Sequence, residues 1–212
     1  NGGSFVVDNI VLQEYGTDGF VTKLFDQTSN NCHATQDTAA QQCKLVAGGD
    51  VITSGGKPAW EHAQTSNMRM DGKIKAAHLD AWFVADTADD KYIYPSNFVG
   101  FSDHGFVAQD TSGAASTGAD YGSSTKIYAN GTDKTSNTRD QLHSSLNGRK
   151  LVHHQAADTA DWEKLEMGFY GTYTNDSFNY VGKFSEWVWY DSDQSSNKTG
   201  IESNINTHYS IY

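Results

Sequence analysis

Ten short runs rich in β-branched and aromatic residues, each fenced by Gly, Asn, Asp or Ser, recur along this chain and constrain its fold more than any other feature. Strands are predicted over Gly19–Phe25, Lys44–Ala47, Ala59–Glu61, Lys75–Ala85, Tyr92–Phe101, His104–Gln109, Ser124–Ala129, Lys150–His154, Leu165–Tyr170 and Gly182–Tyr190. Composition points the same way: 8 Leu and 6 Glu stand against 20 Asp, 20 Gly, 20 Ser, 19 Thr and 14 Asn. Leu and Glu favour helix interiors, whereas Asp, Asn, Ser and Gly favour turns and caps. The chain reads as all-β, a two-sheet antiparallel sandwich. Its 212 residues form a single domain, 1–212, because one core serves up to roughly 250 residues.

Local signals refine this outline. Asn130-Gly131 follows Lys126-Ile127-Tyr128-Ala129 and supplies the two positive φ values of a tight hairpin turn. In Phe184–Tyr190, strict alternation puts Trp187 and Trp189 on one side and Phe184, Val188 and Tyr190 on the other. A strand apolar on both faces is covered on both, so these two Trp read as core. Two helices are predicted. Asn137-Thr138 caps a short surface helix over Arg139–Asn147, with Leu142 and Leu146 four apart and Gly148 beyond its end. Ser195 or Ser196 caps a C-terminal helix running to about Tyr209, with Ile201, Ile205 and Tyr209 on one stripe.

Charge and hydropathy exclude two partner classes. With 15 Lys and Arg against 26 Asp and Glu the net charge is −11, and the basic residues are scattered, so no stripe exists to track nucleic-acid phosphates. No apolar run nears the roughly 18 residues needed to span a bilayer, so no membrane insertion is expected. A chain opening Asn-Gly-Gly-Ser without Met reads as a module of a longer chain or assembly. Cys32 and Cys43 lie in one polar segment, at a spacing a disulfide closes if their Cα atoms come within about 7 Å. The alternative is two buried thiols. A bridge would imply an oxidising setting such as secretion or a particle surface.

Two segments carry a family resemblance. Phe20-Val-Thr-Lys-Leu-Phe-Asp-Gln-Thr-Ser-Asn-Asn-Cys-His-Ala-Thr-Gln36, followed by Gly56-Lys-Pro-Ala59, resembles the V-T-x-x-Y-D-Q-S-G-N-x-x-x-A-T-Q … G-x-P-A signature of concanavalin A-like jelly-roll domains. The tail, Gly182–Tyr190 with Ser192–Asn206 and Tyr209-Ser-Ile-Tyr212, resembles the last core strand and terminal helix of laminin-G-like members, common in marine bacterial surface proteins and phage structural proteins. The resemblance implies a jelly roll at an extracellular or virion surface, with glycans or other virion and surface-assembly subunits as partners.

That superfamily holds both lectins and glycosidases, so residues must decide between them. Its glucanases carry Glu-x-Asp-x-x-Glu on one strand; Glu186–Asp191 has a carboxylate only at each end. Asp26-Gln27-Thr28 also resembles alpha-L-arabinofuranosidase B, but Ala85–Ile127 has no Glu to serve as the later nucleophile. Binding without cleavage is the leading expectation, a structural subunit the second and a glycoside hydrolase, with Asp103 or Asp110 substituting, the third. Sugars are held by aromatic faces and by carboxylate and amide groups that chelate hydroxyls. The binding candidates are therefore Trp60, Glu61 and His62, Asp89 and Asp90 beside Tyr92 and Tyr94, and Asp103 with His104. No cofactor is required. Calcium is the one metal suggested: Asp191, Asp193, Ser195, Asn197, Thr199 and Glu202 fall at positions 1, 3, 5, 7, 9 and 12 of a calcium loop, with Ser196 where its Gly belongs. The same residues serve equally to cap the terminal helix.

Overall fold

The computed structural model describes residues 7–63, 65–71, 76–88, 92–93, 108–109, 126–158, 164–167 and 180–212. The first half of the chain forms β1 (Val7–Tyr15), β2 (Asp18–Asp26), β3 (Ala34–Thr35), β4 (Cys43–Ala47), β5 (Asp50–Val51), β6 (Thr53–Ser54), β7 (Lys57–Pro58), β8 (Trp60–His62), β9 (Met68–Asp71) and β10 (Leu79–Thr87). The second half forms β11 (Tyr92–Ile93), β12 (Ala108–Gln109), β13 (Lys126–Ala129), β14 (Thr132–Asp133), α1 (Arg139–Leu146), β15 (Gly148–Ala157), β16 (Lys164–Met167), β17 (Gly182–Tyr190) and α2 (Lys198–Tyr209). The protein is all-β and antiparallel. One hydrogen-bonded path runs β14-β13-β15-β10-β17-β8-β4-β2-β3-β9-β16, with β1 on β2 and β5 on β4, and its two ends do not close on each other.

One core unites the two ends of this path. Val21, Leu24, Ala34, Cys43, Trp60, Met68 and Met70 from the β2–β9 half pack with Ala81, Phe83, Ala85, Ile127, Val152, Phe184, Trp187 and Trp189 from the other. The sheet therefore folds over on itself. Leu142 and Leu146 of α1 join the same core. Behind it, Trp82, Val84, Leu151 and Val188 face the other way and are covered by Ile205 and Tyr209 of α2. Residues of β10 thus alternate between two buried environments, which is why that strand is apolar throughout.

Alternation alone misplaces Phe184. Between β10 and β17 the pairing passes from Val84↔Glu186 to Ala85↔Phe184, leaving Ser185 as an extra residue. Such a bulge resets the phase of a strand, so Phe184 shares the face of Trp187 and Trp189. The freed Ser185 carbonyl accepts a 3.0 Å bond from the Tyr209 hydroxyl, which ties the bulge to α2.

The hairpin and both helices form where the sequence places them. Asn130 (φ 50°) and Gly131 (φ 73°) turn β13 into β14. Thr138 and Gln141 form a reciprocal capping box at the start of α1: each backbone N–H donates to the other's side-chain oxygen. The cap of α2 differs from expectation, because it is Asn197, and without a side-chain cap bond.

The disulfide is not formed; Cys32 and Cys43 are two separate buried thiols. The reason is their placement along β2. Cys43 pairs with Val21, whereas the Cys32 N–H donates to the Asp26 carboxylate. Five residues of extended strand separate those anchors by ~16 Å, well beyond disulfide reach.

Candidate functional site

The aromatic candidates of the first half go inward. On β8, Trp60 and His62 are buried and only Glu61, between them, reaches the surface side. Trp60 packs 6.2 Å from the Phe184 ring, and His62 lies edge-on to both Phe184 and Tyr180. Trp60 and His62 thus lie in the core rather than on an exposed face where a sugar ring could stack. His62 Nε2 is 3.2 Å from the Cys43 sulfur, but burial lowers the imidazole to a pKa of about 4 and pushes the thiol well up, so the pair is neutral and no thiolate is activated. Asp89, Asp90, Tyr94, Asp103, His104 and Asp110 lie outside the described residues, as does the side chain of Tyr92.

The signature residues organise loops. Asp26 Oδ1 accepts the Thr28 N–H, and Oδ2 accepts the Thr28 hydroxyl and the Cys32 N–H at 2.8 Å. One carboxylate thereby holds the turn from β2 towards β3.

Two residues of the calcium spacing have other contacts in the structure. Asp193 Oδ1 accepts the Ser195 N–H, whereas Glu202 is buried under α2, 2.8 Å from Lys198 Nζ. Asp193 instead falls into a group with His78 and Asp80, whose ligand-type atoms lie within 4.8 Å of one another. Asp80 is fully buried and already employed: Oδ1 accepts the Ala156 N–H and faces His78 Nε2 at 3.2 Å, and Oδ2 accepts the Gln194 N–H. Its charge serves to pin the start of the terminal turn onto β15.

His153 and His154 point to opposite faces, as neighbours on a strand must. His153 is sandwiched between Trp82 (3.9 Å, 8°) and Tyr128 (5.2 Å, 13°), with Glu202 Oε1 at 3.8 Å and Lys198 over the Tyr128 ring. His154 meets Phe83 on the other side. Burial lowers them to about 2 and about 3 respectively, so both are neutral imidazoles at ordinary pH.

A cavity of about 360 Å³ opens on the outer face of the sheet, where β3 meets β9. Thr35 lies directly opposite Arg69 in the ladder, and both point away from the core that Ala34, Met68 and Met70 fill. The walls carry one carboxylate (Asp37), one guanidinium (Arg69), two hydroxyls (Thr35, Thr38) and three amides (Gln36, Gln41, Asn67). No aromatic side chain lines it among the described residues.

An amide relay sets the polarity of this wall. The Thr38 N–H donates to Gln36 Oε1 at 2.9 Å, which fixes Gln36 Nε2 as the donor towards Asn67 Oδ1. Asn67 Nδ2 is then left as a buried donor with no partner. Backbone bonds from Asn67 N–H to the Gln41 carbonyl and from Gln36 N–H to the Thr22 carbonyl make the frame rigid. Sequence reading placed Gln36 in the family signature but missed the cavity, because Asn67 and Arg69 belong to a Met-containing segment with no strand-former signal. Compared with known proteins, the chain matches no family model, no curated protein and no solved structure.

Proposed function

We propose that this protein is a non-catalytic, lectin-like jelly-roll domain that binds glycans at an exposed cell or virion surface. The observation that carries the reading is the polar cavity between β3 and β9. It gathers hydroxyls, amides, a carboxylate and a guanidinium, the polar groups that pair with saccharide hydroxyls, and its volume falls in the range of small-molecule sites. Among the described residues, Asp37 is the carboxylate on its walls. Glycosidic cleavage uses two carboxylates facing each other across the bond, so the cavity favours holding over cutting.

A second reading, a subunit that only packs against neighbours, has one observation behind it. Strand β1 exposes Val11, Leu12 and Tyr15, each more than 40% accessible, on a strand that pairs only with β2 among the described residues.

Retention of the protein on immobilised polysaccharides, with released reducing ends assayed in parallel, tests both. Retention without turnover, weakened at least several-fold by Asp37→Ala, is the expected result. Turnover that vanishes with one carboxylate would overturn the non-catalytic reading. Absence of both retention and turnover would leave the packing subunit.

A further inference from the structure

We infer that the cavity between β3 and β9 favours a sugar carrying a free ammonium, the hexosamine class, with Asp37 as the group that receives it. This deepens the glycan-binding reading and rests on it. With no aromatic wall among the described residues, a ring gains nothing from stacking here, so affinity falls to charge and hydrogen bonds. The two charged residues of the wall differ in what they leave open. Arg69 is engaged within the protein, and Glu166 stands directly opposite it in the β9–β16 ladder, so its positive charge is answered inside the sheet. Asp37 is exposed, and no hydrogen bond or ion pair holds its carboxylate among the described residues. The unanswered charge of this wall is therefore negative. Asp37 is also fixed in place, because the bond from the Thr38 N–H to Gln36 Oε1 closes a turn around it and the Gln36 amide is tied in turn to Asn67. Beside it, the hydroxyls of Thr35 and Thr38 and the side-chain amide of Gln41 make no hydrogen bond among the described residues. An ammonium has three N–H donors and no acceptor, and the carboxylate with these oxygens supplies the acceptors it needs. A sugar carboxylate would meet no unengaged cation on the described wall. The overall charge of −11 acts in the same direction, since it draws cations towards the surface.

The test is chemical-shift titration of the intact chain, with the backbone amides of Thr35, Thr38 and Gln41 marking the cavity. The ligands are the methyl glycosides of glucosamine, N-acetylglucosamine, glucose and glucuronate, with N-acetyl-lysine methylamide as an ammonium without a sugar ring. The glucosamine glycoside should bind about fivefold tighter than the glucose and N-acetylglucosamine glycosides at low salt, with the glucuronate weakest, and the gap should narrow as salt rises. Asp37→Asn should erase the gap between the glucosamine and glucose glycosides. In the wild-type protein, raising the pH until the ligand amine is neutral should close the same gap without any substitution. Equal affinity for the glucosamine and glucose glycosides, tighter binding of the glucuronate, or a lysine derivative bound as tightly as the amino sugar would overturn this inference while leaving glycan binding intact. No binding of any sugar at this cavity would overturn both.

Discussion

At Gly182 the backbone leaves no room for a side chain. Its φ is 153°, and a Cβ there would sit 2.5 Å from the Asp86 carbonyl oxygen and 2.6 Å from the Tyr180 hydroxyl. A main-chain oxygen cannot swing aside. Gly182→Ala should therefore cost about 2–4 kcal/mol, read as a lower urea midpoint. Gly200 makes the opposite case: it lies inside α2, and a Cβ meets nothing within 4 Å. Gly200→Ala should raise stability by up to about 1 kcal/mol, because Ala loses less backbone entropy in a helix. A Gly182→Ala protein as stable as the parent would mean that the start of β17 has slack. Nothing near Gly182 in sequence announces this constraint, since the blocking oxygen belongs to β10.

At the level of elements, one hydrogen bond couples the bulge of β17 to α2. Ser185 leaves the ladder, and its carbonyl would be buried without a partner but for the Tyr209 hydroxyl. Arg149 adds a second tie, donating from Nη2 to the Tyr209 carbonyl at 2.7 Å where the helix leaves its own acceptors open. Tyr209→Phe keeps the ring packed and removes only the hydroxyl, so the loss should be about 1–3 kcal/mol, the cost of an unsatisfied buried carbonyl. Urea denaturation measures that loss, and amide exchange should show it concentrated in α2. A loss below about 0.5 kcal/mol would show that the bulge carbonyl finds another donor.

The whole molecule carries an acid sensitivity written by three buried imidazoles. Burial lowers His62 to about 4, His154 to about 3 and His153 to about 2, against about 6.5 in an unfolded chain. Above pH 7 neither state takes up these protons and stability is flat. Below pH 6.5 the unfolded chain binds them while the native chain does not, so stability falls with pH until each folded value is reached. At pH 5 the loss is about 2 kcal/mol for each imidazole, or about 6 kcal/mol for the three together. Thermal melts should show little change from pH 8 to 7 and a steep drop from 6 to 5. Replacing His154 with Gln should remove about a third of the slope. A melting temperature constant down to pH 5 would refute the linkage.

What the sequence determined by itself is what a few neighbouring residues enforce through dihedral preference and local hydrogen bonds. Asn130-Gly131 makes its turn because both residues tolerate positive φ, and Thr138 with Gln141 closes a capping box within one helical turn. Period-two patterning, with the stripe of Ile201, Ile205 and Tyr209, showed an all-β chain ending in a packed helix. The segment Met68-Arg-Met-Asp71 had that alternation too, though Met is a weak strand signal, and β9 went unread. Tertiary structure alone decided the rest. Whether Trp60 and His62 meet solvent depends on β17 pairing beside them, and the bulge that turns Phe184 inward exists only against β10. Cys32 and Cys43 are kept apart by the register of β2, and the cavity assembles from residues 35–41 and 67–69, joined only when β3 pairs with β9. Backbone preference acts over about one turn of chain, whereas burial, register and cavities follow from which distant strands share hydrogen bonds.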